Sequence, residues 1–386
     1  MKHPQIIGYI SDHIEELLSL AFSEENSELS QEAFNISYHL QNNLIQKILS
    51  SSDFQSTASE VLNRKSPSTS SLSRVCSLAT VSINMCMDYF PSTCGFILQL
   101  IRYINEPCIL QFFSEILADD MTYHATQHWL YENGFPELIL NKIRTLNIDA
   151  NSDPYIDKKS QKLRNIFTTI TMCKNSKELI RSLRSYESIQ LFLNLPRYHS
   201  HLEDEKLMAL SAIYSKKHIE DLRDFYPLML WNISEPYTIC NKFRVLSFQV
   251  LTKMLLKDKE VANLIEKSLV HQIILRTVFQ FYENTFIMKA ILDFLEAIFK
   301  TPKLNIVFAH SIIEPLIFEG TKSDFLMMNA FTYQVIEKSL VVAAADKAFK
   351  ASLIDLDGFL EFVSFDLKKR RKQEQDDYGG KRPLVW

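Results

Sequence analysis

The residue pattern closest to catalytic chemistry is a pair of histidines four positions apart. His124 and His128 would share one helix face, the arrangement in which a helix presents two imidazoles to one zinc ion. Asp119 and Asp120 precede the pair and could add carboxylate ligands. Asp120 is also suited to cap this helix, because its carboxylate can accept hydrogen bonds from free N–H groups of the first turn. We favour the capping interpretation, so the sequence predicts no metal and no cofactor.

A second polar set combines two histidines with three acids: His199, His201, Glu203, Asp204 and Glu205. The set falls in a predicted polar loop, 197–204, that offers no frame to position a site, and it is predicted to be solvated. Neither of the glycine motifs that bind nucleotides can be drawn through the seven glycines, and GxSxG and HExxH are absent. The sequence therefore predicts a protein that is not an enzyme.

The charge distribution singles out residues 158–184, which contain eight Lys or Arg and one acid. Lys177, Arg181 and Arg184 fall at i, i+4 and i+7 on one helix face, while the apolar residues of that helix face away: Leu179, Ile180 and Leu183. This basic face is either simply solvated or a docking surface for an acidic protein partner. Nucleic acid is not expected, because the chain carries a net charge of −4 and no aromatic residues interleave with the basic face.

The chemistry-bearing residues must be positioned by helices. The chain has 7 Gly and 12 Pro in 386 residues, far below the usual share, and glycine is needed wherever a turn requires positive φ. Apolar residues recur at helical spacing along most of the chain, as at Ile10, Ile14, Leu17 and Leu18. The sequence predicts an all-α fold, in which Gly134 ends one helix in the left-handed conformation and Asn175, three residues before Glu178, starts another.

The spacing of these helices predicts an α-solenoid of irregular armadillo-like or HEAT-like pairs, since pairs of about 40 residues are typical of that class. A globular assembly of helical bundles is the alternative, because no strict repeat is visible. The predicted organisation is one repeat domain over 1–367, with a flexible Ser-rich loop at 64–73, and a charged tail at 368–386. The five consecutive cations at 368–372 either complement a helix dipole or form a nuclear-import signal.

The cysteines and the hydropathy bear on the compartment. Six cysteines occur, at 76, 86, 94, 108, 173 and 240, and none forms CxxC. Four of them lie in apolar helical patterns, which is typical of buried reduced thiols. No stretch approaches the ~20 apolar residues that span a membrane. We expect a cytoplasmic protein, with the nucleus as a further possibility, and no membrane insertion.

Residues 96–143 resemble one protein family. Residues 96–104 form an apolar helix, 107–117 a helix that starts with proline, and 129–140 read WLYENGFPELIL. This succession is similar to that in the SAPS-type regulatory subunits of protein phosphatase 6, where WL, a short turn and LIP precede an apolar helix. Trp129-Leu130, Phe135-Pro136 and Leu138-Ile139 match that part. The C-terminal half of the chain carries no motif of the family.

The resemblance implies a helical-repeat regulatory or scaffold subunit without catalytic activity. Its partner would be the catalytic subunit of a type-2A-like serine/threonine phosphatase, whose substrate choice it would direct. The alternative is another armadillo-like adaptor, acting in transport or assembly. In either case the basic face formed by Lys177, Arg181 and Arg184 is the predicted contact surface.

The fold prediction can be checked by far-UV circular dichroism of the purified chain. We expect a helix-dominated spectrum with strand content near zero, because glycine content and apolar periodicity both indicate helices. A substantial β signal would overturn the all-α prediction and the family resemblance with it.

Overall fold

Every regular element in the described part of the chain is a helix, and that part contains no strand. The computed structural model describes residues 8–10, 12–24, 27–39, 52–85, 95–198, 200–214, 223–236, 240–320 and 326–375. The all-α prediction is confirmed. Contacts divide the chain into two compact units, Met1–Ser215 and Lys216–Trp386. The single repeat domain over 1–367 stays a prediction.

The described helices of the N-terminal unit are α1 (Ile14–Ala21), α2 (Ser27–His39), α3 (Ser52–Asn63), α4 (Thr69–Met85), α5 (Ile97–Leu100), α6 (Pro107–Ile116), α7 (His124–Glu132), α8 (Phe135–Thr145), α9 (Lys158–Met172), α10 (Lys177–Leu183), α11 (Tyr186–Asn194) and α12 (Ser200–Ile213). Among them, α1 packs on α2, α4 on α6, α7 on α10 and α9 on α12.

The described helices of the C-terminal unit are α13 (Tyr226–Ser234), α14 (Lys242–Leu255), α15 (Lys259–Glu266), α16 (Val270–Phe281), α17 (Thr285–Phe299), α18 (Leu304–Phe308), α19 (Leu326–Ala343), α20 (Lys347–Ile354), α21 (Phe359–Phe362) and α22 (Lys368–Gln375). Here α17 packs on α14 and α19.

Each unit is held by apolar stripes at helical spacing. In α9 the buried apolar residues are Leu163, Ile166, Phe167 and Ile170, which follow i, i+3, i+4 and i+7 and face α12 and its neighbours. Burying each such side chain contributes about 1.5–3 kcal/mol before the cost of ordering it. In the C-terminal unit α17 is apolar on nearly every side, with ten of its fifteen residues buried. A helix of this kind must be covered from several directions, and α14 and α19 do this.

Side-chain donors from later helices satisfy the carbonyl groups at the ends of earlier ones. In the N-terminal unit, α9 donates from Lys162 Nζ to Arg102 O at 2.7 Å and from Asn165 Nδ2 to Ile104 O at 2.8 Å. Both carbonyls lie at the end of the helical turn that follows α5. The last carbonyls of a helix have no partner within it, so these bonds fix α9 against that end.

The same device recurs in the C-terminal unit, at the end of α13. Arg276 of α16 donates to Ser234 O, and Arg244 of α14 donates to Glu235 O. Arg244 is fully buried, and its guanidinium lies 5.0 Å from the centre of the Phe281 ring. A buried cation is tolerated here because a carbonyl and an aromatic face both interact with it.

The predicted Ser-rich loop at 64–73 is too long. Helix α4 begins at Thr69, and Ser71 and Leu72 are buried. The Ser68 hydroxyl accepts a hydrogen bond from the backbone N–H of Ser71 at 3.1 Å, which caps this helix. The serine-rich composition indicated a solvated loop. However, Leu72 starts the apolar stripe of α4, and serine is a favourable residue at the N-cap of a helix.

The predicted charged tail at 368–386 begins as a helix. Residues 368–375 form α22, where Arg370 lies 4.4 Å above the Tyr333 ring and Arg371 Nε donates to Glu337 Oε1 at 3.3 Å. Both arginines therefore interact with α19. The rest of the predicted tail, 376–386, lies outside the described residues.

The predicted polar loop at 197–204 gives way to helix after residue 199, because α12 begins at Ser200. Glu203 is fully buried and pairs with Lys206 at 2.8 Å. The same carboxylate oxygen accepts from the backbone N–H of Tyr198 at 3.0 Å, and Lys206 Nζ donates to Pro196 O at 3.0 Å. Burial lowers the pKa of Lys206, while the Glu203 carboxylate opposes this shift. The acid predicted to be solvated thus ties the preceding segment to α12.

Among the described residues, no histidine of the same polar set forms a site with Glu203. His199 lies outside the described residues, and the exposed His201 meets the Tyr155 ring edge-on at 5.1 Å.

Removing one partner of the buried Glu203–Lys206 pair is expected to destabilise the fold. Replacing Lys206→Met leaves a carboxylate buried without its countercharge, which costs about 3–5 kcal/mol. The matched control is the double variant Glu203→Gln, Lys206→Met, which should lose less because it buries no unpaired charge. Urea unfolding followed by circular dichroism measures both, and a single variant as stable as wild type would contradict the assignment.

Candidate functional site

A polar groove in the N-terminal unit brings together the two regions that the sequence singled out. It has a volume of about 530 Å³ and lies between α7 and α10. We call it the α7–α10 groove, and its lining includes His124, His128, Asn175, Ser176, Lys177 and Glu178. The candidate histidines and the first residue of the basic face therefore share one surface.

Helix α7 is positioned by the cap that the sequence predicted. The Asp120 carboxylate accepts from the backbone N–H of Thr122 at 2.9 Å, and this bond lowers the pKa of Asp120. The capped element is a 3₁₀ turn, Met121–Tyr123, that leads directly into α7. The predicted role of Asp120 as a helix cap is confirmed.

Two side-chain amides form the floor of the groove: Gln127, which is buried, and Asn175, which is half-buried. Gln127 donates through Nε2 to Ile116 O at 3.0 Å and to Ala118 O at 2.9 Å. Asn175 donates through Nδ2 to Leu117 O at 3.0 Å. These three carbonyls are the end of α6, so one helix end is bound by side chains from both walls of the groove. The walls are consequently held at a fixed separation.

The sequence predicted that Asn175 starts α10, but the structure shows that it does not. The N-cap is the next residue, Ser176, whose hydroxyl accepts from the backbone N–H of Leu179 at 3.5 Å. Asn175 faces the end of α6 instead. Asn and Ser are both good N-cap residues, so the local sequence does not show which of the two caps α10. The hydrogen bond of Asn175 to the end of α6 leaves Ser176 as the cap.

His128 bridges the two walls. Its Nδ1 lies 2.8 Å from Glu178 Oε2 on α10, and its Nε2 lies 3.2 Å from Glu132 Oε1 on α7. Its pKa is raised by the hydrogen bond to Glu178 and by the charges of both carboxylates. Both ring nitrogens of His128 thus have carboxylate partners, whereas a zinc ligand presents a free ring nitrogen to the metal. In the part of the chain that the structure describes, no three His, Cys, Asp or Glu residues are grouped to hold a metal ion.

The predicted basic face is only partly formed. Lys177 and Arg181 are exposed, and the three apolar residues of α10 are buried as predicted: Leu179, Ile180 and Leu183. Arg184 differs from the prediction. It follows the last residue of α10, is half-buried, and donates through Nη2 to Ala212 O at 3.2 Å. Because α10 ends at Leu183, Arg184 leaves the helical face and stabilises the end of α12 instead.

The surface around the groove carries both signs of charge. Lys177 and Arg181 are cationic, whereas Asp119, Glu132 and Glu178 supply carboxylates. Sequence reasoning missed the contact between His128 and Glu178, which are 50 positions apart. The spacing of Glu132 four residues after His128 was the one readable signal. The surface of the groove is therefore of mixed charge.

Comparison with known protein families finds no match to this chain, and no curated protein is significantly similar to it. The resemblance of residues 96–143 to SAPS-type subunits stays a prediction. None of the described helices is both long enough and apolar enough to cross a membrane.

The bridge formed by His128 makes a prediction about pH. Because the pKa of His128 is raised in the folded chain, its bridge stabilises the fold at pH values below about 6.5, the ordinary value for histidine, and this contribution is lost as pH rises through the raised pKa. NMR titration of the His128 ring should give a pKa above that of an unperturbed histidine. Glu178→Gln should bring it down, while Glu187→Gln on α11 should leave it unchanged. Identical titrations in all three proteins would disprove the bridge.

Proposed function

We propose that this chain is a regulatory or scaffold subunit without catalytic activity, and that it binds the catalytic subunit of a type-2A-like serine/threonine phosphatase. The observation that carries the proposal is the position of residues 96–143, which resemble SAPS-type subunits. They build α5 to α8, and α7 and α8 both pack on α10, where the exposed cations lie. The segment with the family resemblance and the predicted contact surface are neighbours.

The matching residues themselves serve the frame. Leu130, Phe135 and Pro136 are buried, and the Phe135 ring packs 5.3 Å from that of Phe113 on α6. Gly134 between them has φ of 73°, as the sequence predicted, and this left-handed residue allows the tight turn from α7 to α8. The sequence motif WL…GFP therefore sets the geometry of the pair α7 and α8. The exposed side chains beside this motif would contact the partner.

The proposed architecture within each unit is a series of stacked helical pairs of the armadillo or HEAT kind. In the N-terminal unit α7 packs on α8 and α10, and α9 packs on α12; in the C-terminal unit α17 packs on α14 and α19. Contacts between helices close in sequence are what such stacking produces. An array of this kind offers a broad surface for one large partner, which suits a scaffold.

Lys177 and Arg181 are the residues we assign to partner binding. Both are exposed on α10, and the fixed groove floor holds this helix in place. Arg184 is assigned to the frame. Cytoplasmic or nuclear localisation remains part of the proposal.

A second candidate is an armadillo-like adaptor for another acidic protein. The exposed cations of α10 support either function, because they favour acidic segments without identifying their source. Affinity purification of the full chain followed by mass spectrometry distinguishes them. Recovery of a type-2A-like catalytic subunit supports the proposal, and its consistent absence favours the adaptor.

Charge reversal on α10 tests the assigned contact. The double variant Lys177→Glu, Arg181→Glu should weaken binding to the purified catalytic subunit by tenfold or more (about 1.4 kcal/mol), and wild-type binding should weaken with added salt. The matched control is Lys347→Glu, Lys350→Glu, which reverses two exposed cations on α20. Equal affinity of wild type and both variants at low and moderate salt would remove α10 from the interface.

A further inference from the structure

Two cysteines from different helices face each other outside the α7–α10 groove. Cys76 lies on α4 and Cys108 on α6, and these helices pack together. The two thiols are close enough for each to shift the pKa of the other. Both line a separate depression of about 190 Å³, with Ser77 and Gln111 among its walls. Two thiols that line one depression across a packed helix pair, with an opening to solvent, form a cluster that the proposed function does not use.

The two thiols are unlike in reactivity. Cys76 is buried, with 5% of its surface exposed, whereas Cys108 is half-buried. The hydrogen bond from Cys76 lowers the pKa of Cys108, and backbone N–H groups at the start of α6 contribute, although burial and the nearby Glu106 oppose the shift. The pKa of Cys76 is raised well above the ordinary value by the same bond and by burial. The thiolate is the nucleophilic form, so Cys108 is the attacking residue.

The start of α6 explains part of this difference. Pro107 occupies the first position of the helix and Cys108 the second. The unpaired N–H groups of a first helical turn stabilise an anion, and a thiolate at such a position is favoured. A disulfide also requires a second thiol nearby, and Cys76 on α4 supplies it.

We propose that Cys108 and Cys76 form a dithiol oxidation site that takes small disulfides, with Cys108 as the attacking thiol and Cys76 as the resolving thiol. With oxidised glutathione, the Cys108 thiolate attacks one sulfur, the S–S bond breaks, and one glutathione thiolate leaves and takes up a proton. Cys76 then loses its proton and attacks the Cys108 sulfur, and the second glutathione leaves as a thiol. The protein dithiol is oxidised to a disulfide that joins α4 to α6, and one disulfide is reduced to two thiols.

The other described cysteines provide the contrast. Cys173 is fully buried, and burial raises its pKa to about 12. Cys240 is half-buried like Cys108, yet burial raises its pKa. Cys240 is therefore the matched control, because it is similarly exposed but less ionised.

The experiment uses the full chain, treated with oxidised glutathione and analysed by mass spectrometry of tryptic peptides. Residues 75–102 contain no Lys or Arg before Arg102, so Cys76, Cys86 and Cys94 fall in one peptide. The starting protein therefore carries Cys86→Ser and Cys94→Ser. We expect a cross-linked pair of peptides through Cys76 and Cys108, which Cys108→Ser abolishes and Cys240→Ser leaves intact.

The order of attack is tested by Cys76→Ser, which removes the resolving thiol. This variant should retain one glutathione on Cys108, whereas Cys108→Ser should retain none on Cys76. The wild-type chain is analysed as well, because fragment spectra distinguish the three cysteines of the shared peptide. The test therefore does not depend on whether the variants fold. The proposal is overturned if Cys108 stays reduced while Cys240 is modified, or if Cys108 pairs with a cysteine other than Cys76. Phosphatase binding is not measured, so the result is independent of the proposed function.

Discussion

The carbonyl groups at helix ends impose the constraint on which the packing of this chain depends. A helix leaves its last carbonyls without partners, and a glycine after the end often turns the chain so that backbone N–H groups reach them. With only seven glycines, this chain meets the need at several of the described helix ends with side chains from elsewhere in the chain. The donors include Gln127, Lys162, Asn165, Asn175, Arg184, Arg244 and Arg276. Each bond satisfies one helix and at the same time fixes the position of another.

The same constraint separates what the sequence could predict from what it could not. Local patterns sufficed for the all-α fold, for the Asp120 cap, for the left-handed Gly134 and for the buried side of α10. These features depend on residues within one or two turns. Arg184 was predicted to be a surface cation, because its spacing from Arg181 suits a helical face. Its partner, Ala212, lies 28 positions away and cannot be read from local spacing.

The candidate site shows the same division. Sequence spacing identified His128 and α10 separately, but not that Glu178 joins them. The amides of Gln127 and Asn175 were not singled out as floor residues, because the local sequence around an amide does not show which carbonyl it will meet. In the structure, the histidine pair of α7 and the cations of α10 thus lie on one surface. This surface carries exposed charges of both signs. A surface of this kind recognises a partner by the pattern of charge as well as by its sum.

The nearly all-apolar surface of α17 has a consequence for synthesis of the chain. Its cover on one side, α14, precedes it, but its cover on the other side, α19, ends 44 residues after Phe299. At about 5–20 residues per second, a ribosome needs about 2–9 s to add that length. During this interval α17 exposes an apolar face that a chaperone can recognise. The C-terminal unit therefore depends on assistance, or on rapid temporary burial, at one definable moment of translation.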